Sequence, residues 1–303
     1  FSRLFDSSME LNALLARQDA LPSIPKVLVL LHAELRNDEP DLRKICQLVS
    51  NDPALAASMM RCANGRMPST SRRLGGVSEA LAVLSLDQIR GLVDAASVGT
   101  TFNSIPGVNL QQFWRYSLDT AKVARSLAAC VKQNQAMAYS AGLVHAVGEL
   151  LMHLGMPEKM GHLDTIVPPL DMARVKAERR SLGYCYAQVG AGFARQWQFP
   201  EPLVDALAHQ HAPFEDDVYE PLAGVLHLAA WRARAREAKL EDRALAVSFP
   251  DVIGLALGLD IDMVLQQTPP AWARRDNLNA IVCAPPPVAP PRPNSPHHSP
   301  PDP

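Results

Sequence analysis

The chain has 303 residues, 48% of them hydrophobic and 20% charged, which is enough for a sizeable buried core and rules out disorder throughout. Lys and Arg number 29 against 31 Asp and Glu, a net charge of -2 that supplies no global field for nucleic acid or an anionic membrane. The five cysteines, Cys46, Cys62, Cys130, Cys185 and Cys283, form no C-x-x-C pair, so neither a disulfide framework nor a zinc knuckle is expected, and a reducing cytoplasm is the expected setting.

No run approaches the roughly 18 apolar residues that cross a bilayer, and Phe1-Ser2-Arg3-Leu4-Phe5-Asp6 lacks the order of a signal peptide. A chain that opens on Phe1 reads as part of a longer protein. Apolar residues recur at three- and four-residue spacing from end to end, and none of the sequence alternates for long, so an all-α fold is expected. Leu21-Pro22-Ser23-Ile24-Pro25 is an extended lead-in, and Pro25 can open a helix because its missing N–H has no partner in a first turn anyway. A short helix follows over Leu42, Ile45, Leu48 and Val49. Asp52-Pro53 starts another that runs to Asn64-Gly65, with the Asp52 carboxylate as its N-cap.

Residues 65 to 76 carry Arg66, Arg72 and Arg73 with little to bury and read as an exposed loop. Ser78 and Asp87 are the expected caps of the next two helices, and Ile105-Pro106-Gly107 divides this N-terminal part from the rest. A long helix is expected over 109–134, then helices at 135–155, 169–182, 185–198, 201–211 and 217–240, with weaker ones at 250–266 and 270–282. Glu215-Asp216-Asp217 reads as a helix N-terminus. The last stretch, 284–303, is dominated by proline and is expected to be a disordered tail; Pro287 to Arg292 matches a P-x-x-P-x-R pattern found by chance in such tails.

Several short signatures occur in one order. They are Leu21-Pro22-Ser23-Ile24-Pro25, Asn51-Asp52-Pro53-Ala54-Leu55 leading to Arg61-Cys62-Ala63-Asn64, Phe113-Trp114-Arg115-Tyr116-Ser117, and Gly142-Leu143-Val144-His145-Ala146-Val147-Gly148-Glu149-Leu150. Downstream come Tyr186-Ala187-Gln188-Val189-Gly190, Trp197-Gln198-Phe199-Pro200 and His209-Gln210-His211. Over roughly residues 17 to 235 this series resembles the HDOD family, signalling relatives of the HD and HD-GYP phosphohydrolases. The resemblance implies a bundle with an HD-like half, 107–240, beside an N-terminal half, 17–106. The flanks are a 1–16 extension and a helical 241–283 extension.

In the catalytic relatives, divalent metal held by His and Asp acidifies a water and neutralises phosphate oxygens. Carried over position by position, that ligand set is degenerate here: Tyr116, Ala146, Tyr186, Gln210 and Ala230 stand where ligands are implied, and only His145 and His211 keep an imidazole. Two imidazoles without a carboxylate suit neither a hard ion nor a tetrahedral zinc site. Glu149 stands where the family often has Lys and, as an anion, would repel phosphate. His145 is expected to be hydrogen-bonded between Tyr116 and Tyr186 in a filled-in pocket.

The resemblance therefore implies a non-catalytic signalling module, without cofactor or metal, acting on a protein partner in cyclic di-GMP, stress or motility networks. A cyclic dinucleotide or other nucleotide is kept as a possible ligand; a membrane is not expected, and nucleic acid is disfavoured. Two rivals stay open: a metal-dependent HD phosphohydrolase with an atypical site, and a nucleotide or nucleic-acid sensor without turnover. Arg66, Arg72 and Arg73, and Arg232, Arg234 and Arg236 with Lys239, are the two basic clusters that could form an interaction surface. Ordinary solvated surface is the simpler expectation for both.

Overall fold

The computed structural model describes residues 11–16, 21–68, 71–100, 105–214 and 220–266. Among them every regular element is a helix and none is a strand, as the apolar periodicity predicts. The 270–282 helix, the acidic run at 215–217 and the proline-rich tail lie outside the described residues. No described helix is long and apolar enough to cross a membrane.

The N-terminal part comprises α1 (Pro25–Leu35), α2 (Leu42–Val49), α3 (Pro53–Arg66), α4 (Val77–Val83) and α5 (Leu86–Thr100). Its two opening motifs meet at Asp52. The buried Asp52 carboxylate accepts the Ile24 N–H at 2.6 Å and the Leu55 N–H at 2.9 Å, capping α3 while pinning the extended lead-in of α1. Removing it would strand two buried donors, at about 1 to 3 kcal/mol each. Asn64 does the same at the far end of α3, exchanging bonds with the Leu74 backbone at 2.8 and 3.0 Å and so holding the arginine loop.

Two predicted caps move. Ser85, not Asp87, caps α5, in a reciprocal pair with Gln88 (3.3 and 2.9 Å). Helix α4 starts after Gly76 without Ser78 as cap, its side-chain closure being Glu79 accepting the Gly75 and Gly76 N–H groups.

After Ile105 come α6 (Leu110–Cys130), α7 (Gln135–Val144), α8 (Val147–Gly155), α9 (Pro157–Ile166), α10 (Arg174–Leu182), α11 (Tyr186–Gln196), α12 (Glu201–His209) and α13 (Pro221–Glu237). Helix α6 is the spine, packed along both α7 and α13. The single helix expected over 135–155 is broken at His145-Ala146, and α9 was not foreseen. Two glycines allow the close packing around that break: a Cβ on Gly142 would come within 2.6 Å of the Ala121 Cα, and one on Gly148 would collide with the Tyr186 carbonyl.

Short helices α14 (Asp242–Ser248), α15 (Asp251–Leu257) and α16 (Ile261–Gln266) fold back on α13. Gly258, at φ +68°, makes the turn that splits the helix expected over 250–266. Trp231 anchors them edge-on to Phe249 at 5.2 Å between ring centroids. The larger apolar core runs without interruption from Leu14 and Val27 through Leu143 and Val144 to Leu226 and Ala233.

Candidate functional site

The positions implied as ligands do converge, at the meeting point of α6, the α7–α8 break, α11, the end of α12 and α13. His145 is fully buried, and its Nδ1 lies 2.7 Å from the Gly142 carbonyl, which can only accept; Nδ1 therefore carries the hydrogen and Nε2 the lone pair. Burial, with the Arg234 charge nearby, pushes the His145 pKa down to about 3. The tyrosines do not bracket His145 with hydrogen bonds as expected. Tyr116 meets it through its ring, edge-on at 4.8 Å, and its own hydroxyl has no protein partner. Tyr186 instead stands edge-on to His211 at 5.1 Å.

The group that fills the pocket is Arg234. Its Nη2 donates to the Tyr186 hydroxyl at 2.7 Å, and its guanidinium lies 5.7 Å from the centre of the Tyr116 ring. A guanidinium keeps its proton under all ordinary conditions. Arg234 thus places a fixed positive charge among His145, His211 and His227, and with burial it holds all three imidazoles below their usual pKa. Arg234 departs from the solvated surface expected for it together with Arg232 and Arg236, and helical geometry explains the difference. Residues two apart on a helix are rotated by about 200°, so Arg234 faces away from its neighbours and shares a face with His227 and Ala230.

The remaining basic positions divide as follows. Arg236 pairs with Asp119 at 2.8 Å. Arg73 donates to the Asn64 and Met67 carbonyls at 2.7 and 3.1 Å, which closes the C-terminus of α3, while Arg66 and Arg72 are exposed. Gln210 is fixed in orientation because its Nε2 donates to the Leu207 and His145 carbonyls (2.9 and 3.2 Å); its Oε1 is buried without a protein partner. Ala146 and Ala230 present only methyl groups, both buried.

Glu149 departs from its expected role. It is not a free anion: α8 buries it against Arg174, whose Nη2 donates to Oε1 at 2.6 Å, while Oε2 has no protein partner and the side chain lines the cavity shared with Tyr116, Ala146, Tyr186 and Arg234. Arg174 is itself entirely buried, donates through Nε to Glu178 at 2.9 Å and through Nη1 to the Val167 carbonyl at 2.5 Å, and lies within 2.8 Å of Asp164. Burial, and then the neighbouring Glu178, push the Glu149 pKa well above the usual carboxylate range, against the pull of Arg174. His153 joins the cluster with Nδ1 on the Glu149 carbonyl (2.8 Å) and Nε2 on Asp164 (2.9 Å). The other Glu178 oxygen accepts the Tyr186 N–H at 2.8 Å, tying the cluster to the first turn of α11 and so to the pocket.

Glu149, His153 and Asp164 hold potential ligand atoms within 4.8 Å of one another, a candidate metal group whose members His153 and Asp164 no sequence motif marks. The Arg174 guanidinium, however, already sits against two of its three members. Neither Arg174 nor Glu178 was foreseen, because 25 and 29 residues separate them from Glu149 with no local pattern to join them.

Beside this pocket, a cavity of about 180 Å³ is walled by Gln112, Phe113, Tyr116, Ala146, Tyr186 and Arg234 among others. A second of about 220 Å³ opens on the far side of Arg234.

The profile of the HDOD domain matches residues 21–213. An uncharacterised protein of Treponema pallidum (strain Nichols) is 25% identical over 221 residues, which is 70% of this chain and 42% of that protein; the chain spans less than half of that relative's length. The fold is similar to that of the MmoQ response regulator of Methylococcus capsulatus Bath (TM-score 0.68, 21% identity, covering 82% of this chain and 98% of that one). It is also similar to a virulence factor of Campylobacter jejuni (TM-score 0.66, 17% identity, 91% and 97% covered). A further likeness is to an HDOD domain protein of unknown function from Geobacter sulfurreducens (TM-score 0.52, 21% identity, 92% and 98% covered). With almost two thirds of its residues under one family profile, and that family's motifs gathered into one pocket, this chain belongs to the HDOD domain family.

Proposed function

We propose that this chain is a non-catalytic HD-like module of bacterial signal transduction that works in the cytoplasm by binding a protein partner. The observation that carries the reading is Arg234, which supplies a permanent monocation where an HD phosphohydrolase would hold metal. A dication beside that guanidinium would meet direct repulsion, in surroundings of low polarity where charge interactions are strong. The groups left to offset it are the imidazoles of His145 and His211, the Gln210 amide oxygen and a single carboxylate, Glu149, whose other oxygen is already held by Arg174. The likeness to a response regulator is in keeping with a signalling role. The exposed Arg66 and Arg72 belong to a surface available to a partner.

The test is hydrolysis of bis(p-nitrophenyl) phosphate and of cyclic di-GMP with Mn²⁺, Mg²⁺ or Fe²⁺ present. No turnover above the rate without protein is expected; metal-dependent turnover abolished by His145→Ala would overturn the reading. A second reading, an atypical metal-dependent phosphohydrolase, rests on Glu149, His153 and Asp164. It requires Arg174 to give up its contacts with Glu149 and Asp164, and such turnover would then be lost in Asp164→Asn.

A further inference from the structure

On the outer side of Arg234, between α10, the end of α12 and α13, lies the cavity of about 220 Å³. Lys176 and Arg179 stand at its mouth, both exposed, and Gln210, His211, His227 and Arg234 line it further in. Among the described residues that line it there are three cations and no carboxylate. A depression lined by cations without a carboxylate of its own favours an anion.

Two further observations point inward. The Arg234 Nε–H has no acceptor and the His211 Nε2 has no partner, although both atoms are shielded from solvent. Burial of a polar atom is ordinarily matched by a hydrogen bond, and each such stranded group costs about 1 to 3 kcal/mol. Arg234 cannot turn away to find another acceptor, because its Nη2 is held by Tyr186. His227 is likewise fixed, with Nδ1 2.8 Å from the Gln210 carbonyl.

We propose that this cavity is an anion site for a phosphate group, either inorganic phosphate or the terminal phosphate of a small phosphomonoester. Its oxygens would accept from Arg234 Nε and from His211, with Lys176 and Arg179 closing over the exposed side. A phosphate ion fits the volume, and charge-assisted bonds from guanidinium groups are the strongest available to it. The inference extends the proposed function to a ligand class and rests on it only in taking Arg234 as the fixed cation of the pocket. Because the experiment reads binding and not turnover, its failure leaves the hydrolysis test standing.

The whole chain is titrated with inorganic phosphate at constant ionic strength, chloride replacing phosphate in the control. Thermal midpoint is followed, together with ¹H–¹⁵N spectra of the histidine rings. Phosphate is expected to bind with a dissociation constant of about 1 mM, to raise the midpoint by about 4 °C at 20 mM, and to shift the His211 and His227 ring signals while leaving those of His162 in place. Lys176→Gln with Arg179→Gln, both changes at exposed positions, should weaken binding at least tenfold without altering the midpoint of the free protein. Glycerol 2-phosphate in place of phosphate separates the two sources: competition by it assigns the site to phosphomonoesters, and its exclusion assigns it to the free ion. Equal midpoints in phosphate and chloride, or a phosphate effect that survives the double substitution, would overturn the proposal.

Discussion

The Arg234 guanidinium and the Tyr186 hydroxyl meet at 2.7 Å, joining α13 to the first residue of α11 across the pocket where the resemblance implies metal ligands. Both partners occupy or adjoin positions where the family resemblance implies ligands: Tyr186 stands at one, and Arg234 lies one helical turn beyond Ala230, another. The consequences of this arrangement can be tested separately.

Restoring the name-giving pair should not restore chemistry. Ala146→Asp would place a carboxylate at a buried position with no metal to receive it, destabilising the fold by about 1 to 3 kcal/mol, unless Arg234 moves to pair with it. Urea denaturation reads the loss. The same preparation should show no metal-dependent hydrolysis.

The buried cluster around Arg174 predicts a sharp contrast between two substitutions. Arg174→Met leaves Glu178 and Asp164 without their shared cation and should cost about 3 to 5 kcal/mol. Glu149→Gln should cost clearly less than Arg174→Met, because the amide oxygen can still accept from Arg174, and Arg174 keeps Glu178 and Asp164 as its anions. Equal losses in the two variants would contradict the reading of Arg174 as the shared centre of the cluster.

His145 makes stability depend on pH in a defined direction. The folded protein keeps the ring neutral down to about pH 3, whereas in the unfolded chain it takes a proton near its ordinary value of about 6.5. Protons therefore favour the unfolded chain. The contribution is complete above about pH 6.5 and is lost progressively as pH falls toward 3, at up to about 1.4 kcal/mol per pH unit. His145→Gln should flatten the acid limb of the urea midpoint against pH by up to that slope, and an unchanged limb would show that His145 is not held neutral.

Gly148→Ala should also be damaging, by about 1 to 3 kcal/mol or more, since the added methyl meets the Tyr186 carbonyl and the Gly190 nitrogen, both parts of the backbone. Thermal unfolding checks it. Gly161→Ala, where an added Cβ meets nothing within 4 Å, is the matched control and should be neutral or slightly stabilising.

How far the sequence could be read varied with the range of the interactions involved. Helices α1 and α3 were legible because Pro25 and Asp52-Pro53 mark their starts locally, and Asp52 does cap α3 as foreseen. The break between α7 and α8 was not, because Leu143, Val144, Ala146 and Val147 continue an apolar pattern through it. The positions around His145 could be found from ordered motifs, but what they contact could not. The bond from Glu149 to Arg174 spans 25 residues, and the reach of Arg234 to Tyr186 spans 48. One signal for Arg234 does lie in the sequence: its angular position on the helix, which puts it with His227 and Ala230 and not with Arg232 and Arg236.

The central claim, that a guanidinium stands in for metal, is tested most directly by elemental analysis of the protein purified without chelator and then dialysed against Mn²⁺, Fe²⁺ or Zn²⁺. Well under one equivalent of any of these ions is expected, with no gain in thermal midpoint. One equivalent of tightly held metal that disappears in His145→Ala would contradict it.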